Sequence, residues 1–170
     1  AAVPVDAAGG SSADAPAVEP SPEVVEATDE SVAGGDTARI SSVTAFDPEG
    51  DLEENDALAP AALADGDPST TWRTSCYSNQ FMGAKRGVGL VVSFDRPVDR
   101  RLTFDIVTGP YQVQFYEWDG DTAPTTVDDW GEPFDRSFGP APTAVTIDPS
   151  GFGARHVLLL LNEIGPDDGC

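Results

Sequence analysis

Six short segments with strand-like patterns, separated by turn residues, constrain the fold of this chain more than any other feature. They span residues 39–46, 88–95, 101–108, 111–118, 143–148 and 155–164. In the segment 101–108, Leu102, Phe104 and Ile106 alternate with polar residues, which is the period of a strand with one buried face. No predicted helix exceeds two turns, whereas a parallel sheet would need long crossover helices. The pattern therefore predicts an all-β fold, an antiparallel sandwich or barrel.

Two of these segments indicate which side chains face the interior. In the segment 111–118, Tyr111, Val113 and Phe115 share one face, and the glutamines with Tyr116 share the other. The segment 155–164 carries an unbroken apolar run, which is typical of a strand covered on both faces. We therefore expect this last segment to be a central strand.

The acidic stretch 60–76 is expected to organise the rest of the fold. A helical turn over 60–64 begins near a proline, whose missing N–H is tolerated at the first helical position. Gly66 can adopt a positive φ, and Pro68 disfavours helix for the residue before it, so the helical turn ends in a tight loop. Trp72 is the largest apolar side chain within reach of this loop. We expect its indole to enter the core and to seal one end of it.

Residues 1–38 differ sharply in composition from the rest of the chain. They contain eight acidic residues and neither a basic nor an aromatic residue. Such a segment cannot bury enough apolar surface to offset the entropy lost on ordering, and its like charges favour extension. The sequence therefore predicts an acidic disordered linker over 1–38 and one folded domain over 39–170.

The charge balance excludes several classes of function. The net charge is −21 and the isoelectric point is about 4.1. Such a surface repels nucleic acids and anionic lipids, so neither is expected as a partner. The sequence contains neither a long apolar run nor a basic-then-apolar signal sequence, and it does not begin with Met. We expect a soluble segment of a longer protein.

The two cysteines, Cys76 and Cys170, are far apart in the sequence. Zinc would want four soft ligands, and the chain offers two cysteines and one histidine. A disulfide between them would indicate an oxidising compartment outside the cytoplasm; two unrelated thiols are the alternative.

Four motifs occur in order along the chain: A-x-A-D-G-D-P-S-T-x-W-x-T at 62–74, an aliphatic strand at 89–94, W-G-x-P at 130–133 and A-R-H-V-L-L-L at 154–160. Together they resemble the discoidin-like domains, also called F5/8 type C or galactose-binding-like domains. More narrowly, the chain resembles the extracytoplasmic C-terminal domain of actinobacterial MviN/MurJ-type lipid flippase homologues and related kinase-like membrane proteins. The resemblance covers about residues 39–170.

The resemblance implies a jelly-roll β-sandwich of eight strands that is not an enzyme. It implies display in the cell envelope, outside the plasma membrane, on a flexible stalk that tethers the domain to a longer parent protein. The family normally closes with a further strand after the point where this sequence stops; either the sequence is cut short before that strand or its end is disordered.

The resemblance also implies a structural calcium at Asp65, Asp67 and Thr70. Two carboxylates, a hydroxyl and loop carbonyls are the hard oxygen ligands that Ca²⁺ prefers. The alternative is that the same acids cap the turn without a metal.

The loop 77–86 is the best candidate for a ligand site because it combines aromatic, amide and cationic side chains within ten residues. We predict that a cell-wall glycan or an envelope protein contacts five of its residues: Tyr77, Asn79, Gln80, Phe81 and Arg86. The alternative is that most aromatic residues of the chain fill or cover the core.

Catalysis is not expected. His156 is the only histidine, and its place in a strand favours a hydrogen-bonded structural role. Neither a nucleophile motif nor a glycine-rich phosphate loop occurs. The main prediction is a non-catalytic binding module; the alternative is a structural or regulatory ectodomain without a small-molecule ligand.

Overall fold

The computed structural model describes residues 37–166 apart from Glu53, Gly66 and Pro68. The predicted linker therefore lies outside the described residues except for its last two, Thr37 and Ala38. Ala38 is 4% exposed and belongs to the core, so ordered packing includes the end of that predicted segment.

Seven strands and one short α-helix make up the regular structure of the described residues. The strands are β1 (Ile40–Phe46), β2 (Val88–Phe94), β3 (Leu102–Ile106), β4 (Tyr111–Trp118), β5 (Asp135–Gly139), β6 (Thr143–Ile147) and β7 (His156–Glu163). The helix α1 (Ala59–Ala64) and three 3₁₀ turns, Asp56–Leu58, Asp128–Trp130 and Pro149–Gly151, lie between strands. The prediction of an all-β, antiparallel fold is confirmed.

The strands form two sheets in which every pairing is antiparallel. The larger sheet has the order β1-β2-β7-β4-β5, and the smaller sheet pairs β3 with β6. The prediction that the segment 155–164 is central is confirmed, because β7 lies between β2 and β4. Strand β5 was not among the six predicted segments.

The smaller sheet packs on one face of the larger sheet. The ring of Phe104 on β3 stacks on that of Phe115 on β4, with centroids 6.2 Å apart and planes 20° apart. The alternation of β3 and β4 that the sequence predicts is confirmed, since Phe104 and Phe115 are buried and Asp105 is exposed. Burying a side chain such as Phe115 completely contributes about 1.5–3 kcal/mol relative to leaving it in water.

The opposite face of the larger sheet has a second core. Val91, Leu158 and Leu160 lie on that side and pack with Trp130, the last residue of the 3₁₀ turn Asp128–Trp130. The ring of Trp130 meets that of Phe46 edge to face at 6.3 Å. Strand β7 is thus covered on both faces, which explains its unbroken apolar run.

Candidate functional site

A cavity of about 980 Å³ lies between the two sheets and the loop that follows α1. Its walls come from β3, from the first half of β4, from the second half of β7, from Leu90 on β2, and from residues between Asp65 and Gln80. A volume of this size is at the upper end of the range of ligand pockets. The cavity combines this volume with walls from both sheets and is therefore the candidate site.

Burial divides the cavity into a floor and a rim. The floor contains Phe115 at 0%, Val113 at 1% and Leu90 at 5% exposure, which are residues of the main core. The rim contains exposed residues such as Asp105 and Asn79. Because half-buried Leu159, Leu161 and Ile106 line the same space as the exposed rim, the feature is a cleft that opens to solvent above the main core.

Trp72 forms part of the cavity wall. Its side chain is half-buried and packs against the main core, as predicted. Its indole nitrogen donates a hydrogen bond of 2.7 Å to the carbonyl oxygen of Glu54, which fixes the orientation of the ring. That the ring seals one end of the core stays a prediction; Phe115, which also lines the cavity, is 0% exposed.

Glu54 is the centre of the hydrogen bonds behind this wall. The side chain is buried, and its carboxylate accepts hydrogen bonds from the Ser75 backbone N–H, at 2.5 Å, and from the Tyr77 hydroxyl. Lys85 donates to the Tyr77 hydroxyl at 2.9 Å and lies 4.9 Å from the centre of its ring. The same ammonium is 2.8 Å from a carboxylate oxygen of Asp47 and 3.9 Å from one of Glu54.

This cluster holds two buried acids against one cation. Burial raises the pKa of Glu54 above its ordinary value of 4.5, and the charge of Asp47 raises the pKa further, while the Ser75 N–H and Lys85 act in the opposite direction. Asp47 is 3% exposed, and its second carboxylate oxygen, Oδ1, has no hydrogen-bond partner. The cluster joins the loop before α1 to the loop 77–86.

Three of the five predicted ligand-contact residues line the cavity, and two do not. Tyr77, Asn79 and Gln80 lie in its wall, whereas Phe81 and Arg86 lie outside it, with Phe81 53% exposed. The Asn79 side-chain oxygen accepts from the backbone N–H groups of Phe81 and Gly83, at 3.0 and 3.3 Å, so it shapes its own loop. The Gln80 side chain donates to Glu163 at 3.0 Å. The structure thus brings together the first part of the predicted loop.

Arg86 is held by two acidic residues, Glu49 and Asp128. Its Nε donates to Glu49, its Nη1 is 2.5 Å from Asp128, and its backbone N–H donates to Glu49 at 2.6 Å. These bonds lower the pKa of Glu49, mainly through the backbone N–H of Arg86. Side-chain hydrogen bonding, first to Glu49, raises the pKa of Arg86. Arg86 therefore links the loop 77–86 to the 3₁₀ turn Asp128–Trp130.

The predicted calcium residues form a turn stabilised by its own hydrogen bonds. Asp65 accepts from the Asp67 N–H at 2.8 Å, and Asp67 accepts from Ser69 at 2.9 Å (N–H) and 2.7 Å (hydroxyl). The Thr70 N–H donates to the carbonyl of Asp67 at 3.1 Å. Among the described residues, no group of three or more His, Cys, Asp or Glu side chains could hold a metal ion. This arrangement gives the turn a metal-free explanation, which is the alternative that the sequence left open, and calcium at Asp65, Asp67 and Thr70 is not tested by it.

The remaining predicted residues lie outside the cavity wall. Cys76 is exposed between Ser75 and Tyr77, and its predicted disulfide partner Cys170 is outside the described residues, so the bridge stays a prediction. His156 is 9% exposed, and its Nδ1 is 2.8 Å from the Ser93 hydroxyl. This hydrogen-bonded position is the structural role that the sequence predicts for His156.

The sequence analysis missed the acids that define the site. Glu54 lies in an acidic loop whose composition indicates only solvent exposure, so no local signal separates it from its neighbours. Asp105 and Glu163 bring further charge to the cavity from β3 and β7. Their signal was available, since each occurs in a predicted strand at a position where that strand meets the loops.

The aromatic residues divide between core and site. Tyr111, Tyr116 and Trp130 are buried, at 4%, 5% and 4% exposure, which is the alternative that the sequence left open for them. Trp118 is half-buried, and its indole nitrogen donates to the Thr122 carbonyl at 2.9 Å.

Comparison with known proteins adds no relative: no family model, curated protein or solved structure matches the chain. Within the part of the chain that the structure describes, no helix is long and apolar enough to cross a membrane.

Proposed function

We propose that this domain is a non-catalytic binding module whose ligand enters the cavity between the two sheets. The observation that carries the proposal is the position of Trp72, a half-buried indole held in the wall of a cavity by the carbonyl of Glu54. A fixed aromatic ring beside polar groups is what a site needs to orient a ligand without chemistry.

The domain type we propose is a discoidin-like jelly roll. Two features support it: the fold is built from antiparallel sheets, and the motif 62–74 contains an indole, that of Trp72, that packs on the core. We place the domain outside the plasma membrane, tethered to a longer parent protein. The support for this position is the acidic composition of residues 1–38 and the predicted pairing of Cys76 with Cys170.

The ligand class we propose is a glycan of the cell envelope. A sugar presents one face of C–H groups, which packs on an aromatic ring, and hydroxyls at its edge, which need polar partners. The cavity offers both, with Trp72 and Tyr77 as rings and with Asn79, Gln80 and Arg73 as polar groups. The glycan would be uncharged or cationic, because a chain of net charge −21 repels polyanions.

Calorimetric titration of the full chain with uncharged cell-wall oligosaccharides and simple sugars tests this proposal. We expect saturable binding that becomes about tenfold weaker in Trp72→Phe, because the smaller ring loses contact area and its hydrogen bond to Glu54. Trp118→Phe is the matched control, since the cavity lining does not include Trp118, and it should bind like the wild type. Absence of binding by every glycan, or equal binding by both variants, would contradict the proposal.

A second candidate is an ectodomain that docks an envelope protein and takes no small ligand. The observation in its favour is exposed aromatic surface, because Phe138 on the edge strand β5 is 79% exposed and Phe152 is 61% exposed. An edge strand can pair with a strand of another protein. Phe138→Lys would weaken such an interaction and leave glycan binding unchanged, which separates the two candidates.

A further inference from the structure

The floor of the cavity is apolar to a degree that a sugar alone does not explain. Its buried and half-buried lining consists largely of aliphatic and aromatic side chains, contributed by both sheets: Leu90, Phe104, Ile106, Val113, Phe115, Leu159 and Leu161. A hydroxyl group placed against such a floor loses its hydrogen bonds to water without replacement, at a cost of a few kcal/mol. Only an apolar group gains free energy there.

The rim of the cavity differs from the floor in both polarity and charge. Four acidic residues and one basic residue line the cavity: Asp65, Asp67, Asp105, Glu163 and Arg73. A carboxylate or phosphate at the rim would meet mainly like charge, on a protein that is already strongly acidic. The rim therefore favours a head group that is uncharged or cationic.

Taken together, these two regions describe an amphipathic ligand. We propose that the ligand of this site carries an alkyl or acyl chain, which inserts between the sheets, on an uncharged sugar head that remains at the rim beside Trp72. This inference rests on the proposed function and specifies the ligand class further. It explains the apolar space between the sheets, which a ligand bound only at the rim would leave unfilled.

Alkyl maltosides test the inference directly, because maltose, octyl maltoside, decyl maltoside and dodecyl maltoside share one head and differ only in the chain. Calorimetric titrations of the full chain are carried out below the micelle concentration of each compound. We expect the affinity to rise about fourfold for each buried methylene, and so about fifteenfold from octyl to decyl and again from decyl to dodecyl maltoside, until the cavity is filled. Equal affinities for maltose and decyl maltoside would overturn the inference while leaving the glycan proposal intact.

Two variants test whether the alkyl chain of the ligand occupies the cavity. Ile106 is half-buried in the lining, and Ile106→Trp fills space between the sheets, so we expect it to weaken decyl maltoside binding at least tenfold. Val107→Trp, at a lining position that is 55% exposed, is a second variant that does not disturb the core. Ala144→Trp, exposed on the neighbouring strand β6 and not part of the lining, is the matched control and should bind normally. Unchanged binding by Val107→Trp would overturn the inference.

A comparison of head groups tests the rim. Decanoate, decyl maltoside and decyltrimethylammonium have chains of equal length, and we expect decanoate to bind most weakly at low salt. The double variant Asp105→Asn, Glu163→Gln should reduce the disadvantage of decanoate relative to decyl maltoside. Tighter binding of decanoate than of decyl maltoside by the wild type would contradict the proposed head group. Absence of all alkyl maltoside binding, with uncharged cell-wall oligosaccharides still bound, would overturn the inference but not the proposed function.

Discussion

The indole nitrogen of Trp72 donates a hydrogen bond of 2.7 Å to the carbonyl oxygen of Glu54. The carboxylate of Glu54 accepts further hydrogen bonds from the backbone of Ser75 and from the hydroxyl of Tyr77. One residue of an acidic loop therefore fixes both half-buried aromatic rings of the cavity wall and the backbone between them. Because Glu54 is 1% exposed, water cannot replace these bonds when they are lost.

Removal of the Glu54 carboxylate should destabilise the fold. Glu54→Ala leaves the Ser75 N–H and the Tyr77 hydroxyl without their partner, so we expect the free energy of unfolding to fall by about 1–3 kcal/mol. The melting temperature should fall by several degrees. Glu132→Ala, at an exposed position, is the control and should change stability by less than about 0.5 kcal/mol. Equal urea midpoints for the two variants would contradict the role given to Glu54.

The raised pKa of Glu54 predicts the pH dependence of this contribution. At pH values between 4.5, the ordinary pKa of this carboxyl group, and the raised pKa of Glu54, the folded state binds the proton of Glu54 more tightly than the unfolded state does. Stability linked to this group therefore increases as pH falls through that window and is lost as pH rises through it. The variant Glu54→Gln cannot titrate and lacks this slope.

Urea unfolding at several pH values between 7 and the acid transition measures the difference. We expect the stability of the wild type relative to Glu54→Gln to increase as pH falls. Comparing the two proteins removes the effect of other carboxyl groups, such as Asp95 and Asp148, whose pKa values are lowered by their hydrogen bonds. A relative stability that is constant, or that decreases as pH falls, would show that the pKa of Glu54 is not raised.

The strands were predictable to the extent that their own sequence carries the packing signal. Strand β4 has exactly the residues 111–118 that the alternation indicates, because both faces of this strand are specified by its side chains. Strand β5 (Asp135–Gly139) was missed because it buries no residue completely and is defined by its pairing with β4. An edge strand of this kind depends on tertiary contacts that its own composition does not reveal.

The site was less predictable because it depends on which charges meet in space. Arg86 was a plausible ligand-binding cation by its charge and its loop, but its ion pair with Asp128 joins residues 42 positions apart and could not be predicted from the sequence. Glu54 could not be distinguished from exposed acids, since only the approach of Tyr77 and Ser75 makes it a buried acceptor. Trp72 was correctly placed against the core, whereas the cavity beside it arises from the separation of two sheets.

The ion pairs of Arg86 give a prediction that separates structure from binding. Arg86→Gln loses the side-chain ion pairs with Glu49 and Asp128 and keeps the backbone N–H bond to Glu49. We therefore expect a small loss of thermal stability that becomes smaller as salt is added. Affinity for a ligand in the cavity should not change, because Arg86 is outside its lining. Arg136→Gln, an exposed arginine on β5, is the control. A variant Arg86→Gln that folds normally but no longer binds glycan would place the site elsewhere.

The turn at Asp65–Thr70 can be tested for calcium by thermal unfolding. We expect the same melting temperature in calcium chloride and in EDTA, because hydrogen bonds from Asp67 and Ser69 already hold the turn. A ligand that binds only the folded state raises the melting temperature with its concentration. A rise of several degrees in calcium that Asp67→Asn abolishes would instead establish the metal site that the resemblance implies.

The most direct test of this account is a titration followed in the proton–nitrogen correlation spectrum through the indole N–H signals of the three tryptophans. The Trp72 signal is assigned by its absence in Trp72→Phe, and decyl maltoside is added below its micelle concentration. We predict that the Trp72 signal shifts saturably while that of Trp130, buried on the opposite face of the larger sheet, stays in place. A Trp72 signal that does not move while Trp118 or Trp130 responds would contradict a ligand site in the cavity.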